Sequence, residues 1–480
     1  MNYKYVFKML GIVLSIEAGL LLLPTGISLF NRDGTAGAFG ITIVLLALIG
    51  ISLSSIRPRT STLYAREGFL LVSVAWALLS VFGALPFYLS GYISSYIDAL
   101  FETVSGFTTT GASILSDIEA LPDSLLFWRS FTHWIGGMGI LVFVMAILPA
   151  NNDRSMHVMR AEVPGPTVDK LLPKARSSAS TLYTIYFGIT VLHIVFLLFG
   201  GLNLLDSCIT AFGSVGTGGF SNKAASIAHF NSVYVDIVVT VFMLLCGINF
   251  NLYYLMLTRN FRQALRSEEL RWYLIIVFGS AILIALNILP QNGSFLHSFR
   301  LAIFQVVSII TTTGYATADF DLWPLYSKML LILLMFIGAC AGSTGGGIKI
   351  SRIIIVLKRV KREIIKMVHP RMVRVIRLEE KTIESEQVNN IFTFVITYIL
   401  IILAATLIIS LDGFDFETTF TASLSCMSNI GPGLGVVGPT GNFGGFSDLS
   451  KLVLTLTMLL GRLEIYPLLL CFAPVLYKKK

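Results

Sequence analysis

The sequence predicts an all-α integral membrane protein: four span–pore-loop–span repeats around a pseudo-fourfold pore, plus two extra N-terminal transmembrane helices. Three observations predict it. Of 480 residues, 55% are hydrophobic and only 13% charged, far outside soluble norms. Apolar runs long enough to cross a bilayer, which takes about 20 residues, lie at 9–30, 37–56, 68–90, 124–149, 181–202, 232–258, 272–290, 326–357, 390–411 and 451–477. Four Thr/Ser/Gly-rich loops recur at a spacing of about one hundred residues. A polar, glycine-hinged loop between spans cannot face lipid, because its peptide groups would lose their hydrogen bonds. It must line a wet path.

Residues 1–66 hold two spans with no such loop and stand outside the repeat. Lys4 and Lys8 precede an apolar stretch, as in a signal peptide. The stretch is long, contains Glu17 and lacks a small-residue cleavage site, so it reads as a retained span. Residues 67–178 form repeat 1, with the loop Thr108-Thr109-Thr110-Gly111. Residues 179–268 form repeat 2, with Val215-Gly216-Thr217-Gly218-Gly219 and Gly218 read as the hinge. Residues 269–387 form repeat 3, with Thr311-Thr312-Thr313-Gly314, and residues 388–480 form repeat 4, with Ser428-Asn429-Ile430-Gly431. Serine lies six positions before the hinge glycine at Ser105, Ser308 and Ser425; repeat 2 breaks the rule with Phe212. Such divergence implies that one polypeptide supplies all four quadrants.

These residue types suit a monovalent cation. An ion leaving water needs its hydration shell replaced by oxygens, and rings of backbone carbonyls do this without fixed charge that would trap it. Glycine at positive φ lets neighbouring carbonyls turn toward one axis. The half-helix before each loop would point its partially negative C-terminus at the ion. The candidate ion-binding set is Thr109, Thr110, Gly111, Thr217, Gly218, Thr312, Thr313, Gly314, Asn429, Ile430 and Gly431. No loop carries a carboxylate, which argues against a divalent ring. Asp98, Glu102 and Glu417 are expected to gather cations at the mouth, against the plainer reading that they are solvated connections.

Repeat 3 has a broken second helix. Gly338-Ala339-Cys340-Ala341-Gly342-Ser343-Thr344-Gly345-Gly346-Gly347 cannot stay a strong helix, since each glycine costs about 1 kcal/mol against alanine. The string resembles a phosphate-binding loop, but Ile348 separates Gly347 from Lys349 and no strand precedes it. We read Gly342, Ser343, Thr344, Gly345, Gly346, Gly347 and Lys349 as an unwound gate beneath the pore loops. Arg462, mid-span, is costly unless it faces a wet cavity or a partner. It is expected to hold the unwound carbonyls or to repel a second ion. Glu464 points elsewhere on the helix and is not its automatic partner.

The net charge of +8 is not a nucleic-acid footprint, because the basic residues fall between alternate spans. Arg57, Arg59 and Arg66 follow the second span; Arg154, Arg160, Lys170, Lys174 and Arg176 the fourth; Arg259, Arg262, Arg266 and Arg271 the sixth. The largest cluster runs from Lys358 to Lys381, and Lys478 to Lys480 close the chain. By the positive-inside rule both termini are cytoplasmic and the loops enter from outside. The five cysteines form no C-x-x-C pair and read as packing residues. The six histidines show neither metal spacing nor a nucleophile–base set, so an enzyme is not expected and no organic cofactor is assigned to the chain.

At these residues the chain resembles the Trk/Ktr/HKT superfamily of potassium transporters. The likeness rests on the four loops, the 338–347 break, the Gly461-Arg462 pair and His133-Trp134-Ile135-Gly136-Gly137-Met138-Gly139. The two leading spans favour its Trk-type membrane subunits. The resemblance implies potassium uptake across the cell inner membrane through a gated, channel-like pore, with K⁺ (then Rb⁺ or Na⁺) in a selectivity filter. It also implies a homodimer and a cytosolic, nucleotide-binding regulatory ring of the TrkA type, which would carry any NAD(H), ATP or ADP. Glycine at the first hinge, here Gly111, goes with potassium in that family. The fourth loop departs from the Thr-rich pattern at Asn429 and Ile430. The competing expectation is a Na⁺- or H⁺-coupled symporter, for which Glu17 is the nearest carboxylate.

Overall fold

The computed structural model describes residues 2–58, 65–139, 175–372, 375–379 and 381–472. The distal parts of the 124–149 and 451–477 runs lie outside the described residues. So do Arg59, Arg154, Arg160, Lys170, Lys174, Arg374 and Lys478–Lys480.

The N-terminal pair is α1 (Tyr3–Leu20), continued by α2 (Leu22–Asn31), against α3 (Ala36–Ser54). They touch through small residues. A Cβ on Gly11 would fall 2.7 Å from the Gly50 carbonyl oxygen, and one on Gly50 would fall 2.5 Å from Ser15 Oγ. Close backbone approach of this kind is how helices associate in lipid.

Each repeat then follows one plan. The first spans are α4 (Ala65–Gly83) with its continuation α5 (Leu85–Leu89), then α8, α13 and α17. The half-helices are α6 (Tyr96–Phe107), α9, α14 and α18; the second spans begin with α7 (Asp123–Gly137), α10, α15 and α19. In repeat 2 these are α8 (Ala175–Phe199), α9 (Leu204–Gly216) and α10 (Val233–Cys246) with α11 (Phe250–Leu257), followed by the short α12 (Phe261–Leu265). In repeat 3 they are α13 (Glu268–Asn292), α14 (Phe295–Ile310), α15 (Leu325–Phe336) and α16 (Ile350–Val368). In repeat 4 they are α17 (Ser385–Ile409), α18 (Phe416–Ser428), α19 (Asp448–Arg462) and α20 (Tyr466–Phe472). A small antiparallel hairpin, β1 (Ile376–Leu378) and β2 (Lys381–Ile383), links α16 to α17.

Among the described residues, the first spans, with α1–α2 and α3, are six helices long and apolar enough to cross a membrane, and the bent pair α10–α11 makes a seventh if taken as one span. Their outward faces expose apolar side chains such as Leu48, Phe199 and Leu407, as a lipid-facing surface requires. The half-helices have 12 to 16 residues. At 1.5 Å per residue they reach only about 18–24 Å, too short to cross, so each turns back at its loop.

One expectation needs correcting. Only the third repeat's second span was expected to break, yet among the described residues those of repeats 2 and 4 break as well. Helix α7 ends at Gly137 and Gly139 takes φ +87°. Helices α10 and α11 meet at 92°. Helices α15 and α16 are separated by the glycine string, and α19 and α20 by Leu463–Ile465, where Glu464 and Ile465 have φ +55° and +67°.

Closure is cyclic. Helix α7 packs on half-helix α9, α10 on α14, α15 on α18, and α19 returns to α6. Every second span thus leans on the next repeat's half-helix, and the fourth repeat meets the first.

Candidate functional site

The half-helices deliver their C-termini, where unpaired carbonyls concentrate negative partial charge, to one ring of loops. An added Cβ shows how tightly the loops abut. At Gly111 it would lie 2.0 Å from the Gly218 oxygen, at Gly219 1.9 Å from the Thr313 oxygen, and at Gly314 2.1 Å from the Ile430 oxygen. At Gly431 it would lie 2.7 Å from the Thr110 oxygen. Loop 1 meets loop 2, loop 2 meets loop 3, loop 3 meets loop 4, and loop 4 meets loop 1.

This contact pattern corrects the register of repeat 2. The positive-φ glycines of the ring are Gly111, Gly219, Gly314 and Gly431, at +79°, +76°, +81° and +103°. Gly218 stands at the position of Thr110, Thr313 and Ile430, and the residue six before Gly219 is Gly213 rather than Phe212. Two adjacent glycines in the sequence hid which one is the hinge.

Two positions before each hinge glycine, Thr109, Thr217, Thr312 and Asn429 also take positive φ, at 55° to 57°. That conformation is rare for a β-branched residue. It is held by a helix-ending cap in which the next N–H reaches back to the half-helix. Thr110 donates to the Ser105 carbonyl at 2.8 Å, Gly218 to Gly213 at 2.8 Å, Thr313 to Ser308 at 2.8 Å and Ile430 to Ser425 at 3.0 Å. Glycine is the usual occupant of the left-handed cap position; here threonine or asparagine fills it. Inverted handedness at alternate residues turns successive carbonyls to one side instead of to opposite faces, as in a strand.

The result is a set of buried carbonyls at Thr109, Thr110, Thr217, Gly218, Thr312, Thr313, Asn429 and Ile430. No donor among the described residues reaches them. Buried backbone acceptors are nearly always paired, so eight open ones around one ring call for a cation. The side chains brace the loops from behind. The Thr108 and Thr110 hydroxyls pair at 2.8 Å, as do those of Thr311 and Thr313. Asn429 Nδ2 donates to Thr110 Oγ1 and to the Met458 carbonyl, both at 2.9 Å.

All four hinge glycines line a vestibule of about 120 Å³. The expected cation-gathering acids do not serve it freely. Glu102 is buried, 2.5 Å from Arg129 Nε, and also accepts from the Ile114 N–H. Asp98 pairs with Lys451 at 2.6 Å and Glu417 with Lys328 at 2.9 Å. The Glu102–Arg129 pair is a strut: Arg129 also donates to the Ser221 carbonyl and covers the Phe220 ring. His133 links Gly106 to Phe220 through its two ring nitrogens.

Beneath the ring sits the unwound segment 337–349. The Gly346 N–H donates to Thr312 Oγ1 at 2.7 Å, and a Cβ on Gly346 would fall 2.5 Å from the Ser428 carbonyl oxygen. Arg462 is 7% exposed. Its guanidinium donates to the Thr344 carbonyl (2.8 Å), Thr109 Oγ1 (3.2 Å) and the carbonyls of Gly136 and Gly137 (2.5 and 2.7 Å). It therefore joins repeat 4 to the unwound loop and to the carbonyls freed where α7 ends. Lys349 Nζ reaches the Gly345 and Gly346 carbonyls. Phe250 N–H donates to the Gly342 carbonyl, and the Ser343 hydroxyl to that of Cys340. Gly347 bends at φ +65°. The space among Gly345–Gly347, Lys349 and Arg462 is about 10 Å³, at or below what one water needs.

Sequence reasoning missed Glu269 and the partner of Glu464. Glu269, 6% exposed, accepts from the N–H groups of Ala341 (2.8 Å), within the unwound segment, and Ser351 (3.0 Å), just beyond it. In the sequence it reads as an ordinary acid in a helix's first turn. Glu464 pairs with Arg352 at the start of α16, so it is indeed not the partner of Arg462.

The comparisons agree across the whole length. A family model described as TrkH, cation transport protein, matches residues 37–479. The Trk system potassium uptake protein TrkH of Escherichia coli (strain K12) is 36% identical over 485 residues, covering 100% of both chains. TrkG of the same strain is 34% identical over 486 residues, covering 98% of each. The crystal structure of the potassium transporter TrkH from Vibrio parahaemolyticus matches with a TM-score of 0.90 at 32% identity, covering 100% of both chains. These relatives carry the names of transporters rather than enzymes.

Proposed function

The chain belongs to the TrkH family of cation transport proteins, and from that premise we propose that it takes up potassium across the cell inner membrane through a gated, channel-like pore. The observation that carries the reading is the ring of open carbonyls, two from each repeat. A dehydrated K⁺ gains oxygens from four sides there, while no carboxylate binds it too tightly to leave. Rb⁺ fits the same ligands; Na⁺, being smaller, draws the carbonyls inward against glycines that already touch their neighbours.

Gating belongs to the unwound segment. With Gly346 bonded to Thr312 and Arg462 bonded to Thr344, the segment closes the inner side of the filter, and opening must break both contacts together. Family resemblance supplies the rest of the proposal: a homodimer with a pore in each subunit, and a cytosolic, nucleotide-binding TrkA-type ring that acts on the segment through α16. The charge pattern supports cytoplasmic termini, since Arg259–Arg271 and the basic α16 lie beyond the broken second spans rather than beside the vestibule.

A coupled symporter is the second reading. Glu17 is buried and both its carboxyl oxygens lack a partner among the described residues. It lies in α1 against Gly83 of α4, behind Thr103 and Phe107 of α6, and is not one of the ring's oxygens. In proteoliposomes, K⁺ current should reverse at the K⁺ equilibrium potential whatever the Na⁺ or proton gradient. A reversal potential that moves with either gradient in fixed stoichiometry would replace the channel reading with the coupled one.

A further inference from the structure

The serine that recurs six residues before the hinge glycine has a task in two repeats. Ser308 Oγ donates to the Tyr315 carbonyl at 2.6 Å, one residue beyond hinge Gly314, and Ser425 Oγ donates to the carbonyl of hinge Gly431 at 2.8 Å. Each ties the limb leaving the pore loop to the half-helix that enters it. In repeat 1 Ser105 Oγ has no partner among the described residues, and the buried Glu102 carboxylate accepts from Ser113 Oγ and the Ile114 N–H instead, both at 3.0 Å. Repeat 2 has neither device, for Gly213 stands at the serine position and Thr210 at that of Glu102. The place is taken from outside the repeat. Tyr315, 1% exposed, crosses from loop 3 to α9, where its hydroxyl lies 3.1 Å from the Phe220 carbonyl and 3.3 Å from that of Thr210. The Thr210 carbonyl also accepts from Ser214 Oγ. The Phe220 carbonyl, one residue beyond hinge Gly219, has no other donor among the described residues. A Cβ on Gly213 would collide with the Tyr315 hydroxyl, so a serine and this tyrosine exclude each other there.

We propose that the Tyr315 hydroxyl positions the second pore loop, doing from repeat 3 what serine does within repeats 3 and 4, and that it thereby helps set the preference for K⁺ over Na⁺. The inference rests on the uptake reading above. Tyr315 supplies none of the ring's oxygens; it acts through Phe220, which adjoins Gly219 and so fixes where the Thr217 and Gly218 carbonyls stand. Without the hydroxyl, the Phe220 carbonyl is a stranded buried acceptor that gains by moving. Loop 2 is then free to follow its carbonyls inward around the smaller Na⁺, whereas K⁺ still finds oxygens from all four repeats. Because Ser308 holds the carbonyl of the same tyrosine, one residue couples the staple of loop 3 to that of loop 2.

Bi-ionic reversal potentials of the full chain in proteoliposomes test this. Tyr315→Phe removes only the hydroxyl, so K⁺ conductance should persist while the K⁺/Na⁺ permeability ratio falls about fivefold or more, the low end of what one stranded acceptor is worth. Tyr315→Leu should lower the ratio in the same way and also vacates the place of Cζ, which lies 2.8 Å from where a Cβ on Gly213 would stand. That Cβ would be 3.3 Å from the Phe220 oxygen. Adding Gly213→Ser to Tyr315→Leu therefore returns a hydroxyl to the limb by the device of repeat 3, and the ratio should recover. A ratio unchanged in Tyr315→Phe, or no higher in the double variant than in Tyr315→Leu, would overturn the proposal while leaving the uptake reading in place. A wild-type chain with no K⁺ preference would overturn both.

Discussion

Thr109, Thr217, Thr312 and Asn429 hold a backbone conformation that costs an L-residue about 1–2 kcal/mol. The cost is borne at matching positions in all four repeats, and what it secures is the direction of the carbonyls. Asparagine tolerates this conformation better than threonine does, which makes the fourth loop a chemical variant of the same geometry. The hinge glycines are constrained more severely, since a Cβ on Gly111 would meet the Gly218 oxygen at 2.0 Å with φ at +79°. Gly111→Ser must therefore push two loops apart, and the K⁺/Na⁺ permeability ratio should fall about tenfold, equivalent to about 1.4 kcal/mol. Bi-ionic reversal potentials measure it; an unchanged ratio would remove Gly111 from the filter. At this scale the sequence was informative where residue type restricts the backbone. Glycine marked every loop and threonine three of the four, whereas the Gly218-Gly219 pair left the register open by one residue. Only the contact between loops 2 and 3 resolves it.

The unwound segment, the proposed gate, is fastened from three directions. Thr312 accepts from Gly346, Arg462 donates to Thr344, and Glu269 accepts from Ala341 within it and from Ser351 just beyond it. Thr312→Val keeps side-chain shape but strands the Gly346 N–H, a buried donor worth about 1–3 kcal/mol. Basal flux without any partner should rise roughly 5- to 100-fold by that measure. Arg462→Ala should also raise basal flux, and loss of flux at normal expression would mean that these contacts build the pore rather than close it. The break in repeat 3 was legible because five glycines crowd into ten residues there. The breaks in repeats 2 and 4 were not, since Gly247 and Gly461 look like single helix glycines costing about 1 kcal/mol each. Their reason is tertiary. A Cβ on Gly461 would fall 2.1 Å from the Met427 carbonyl oxygen, at the end of α18.

For the whole molecule, the hydropathy pattern pointed to a helical membrane protein, and the charge pattern suggested an orientation. Neither revealed that apparent mouth charges are internal braces. Glu102 and Arg129 look like peripheral residues in the sequence, yet they tie α6 to α7 and, through Ser221, to repeat 2. Removing one member of such a buried pair strands its partner, at about 3–5 kcal/mol. Arg129→Met should lower Tm markedly, whereas Lys223→Met, whose contact to Glu119 is 3.7 Å and exposed, should leave it within error. Comparable losses for both would contradict the brace. The account as a whole depends on four loops of one chain sharing a single dehydrated cation. Anomalous diffraction from crystals grown in Rb⁺ tests that most directly. The account predicts a peak on the ring axis, within coordination distance of the carbonyls of Thr110, Gly218, Thr313 and Ile430. A ring without Rb⁺, with the anomalous density on side-chain carboxylates elsewhere, would contradict it.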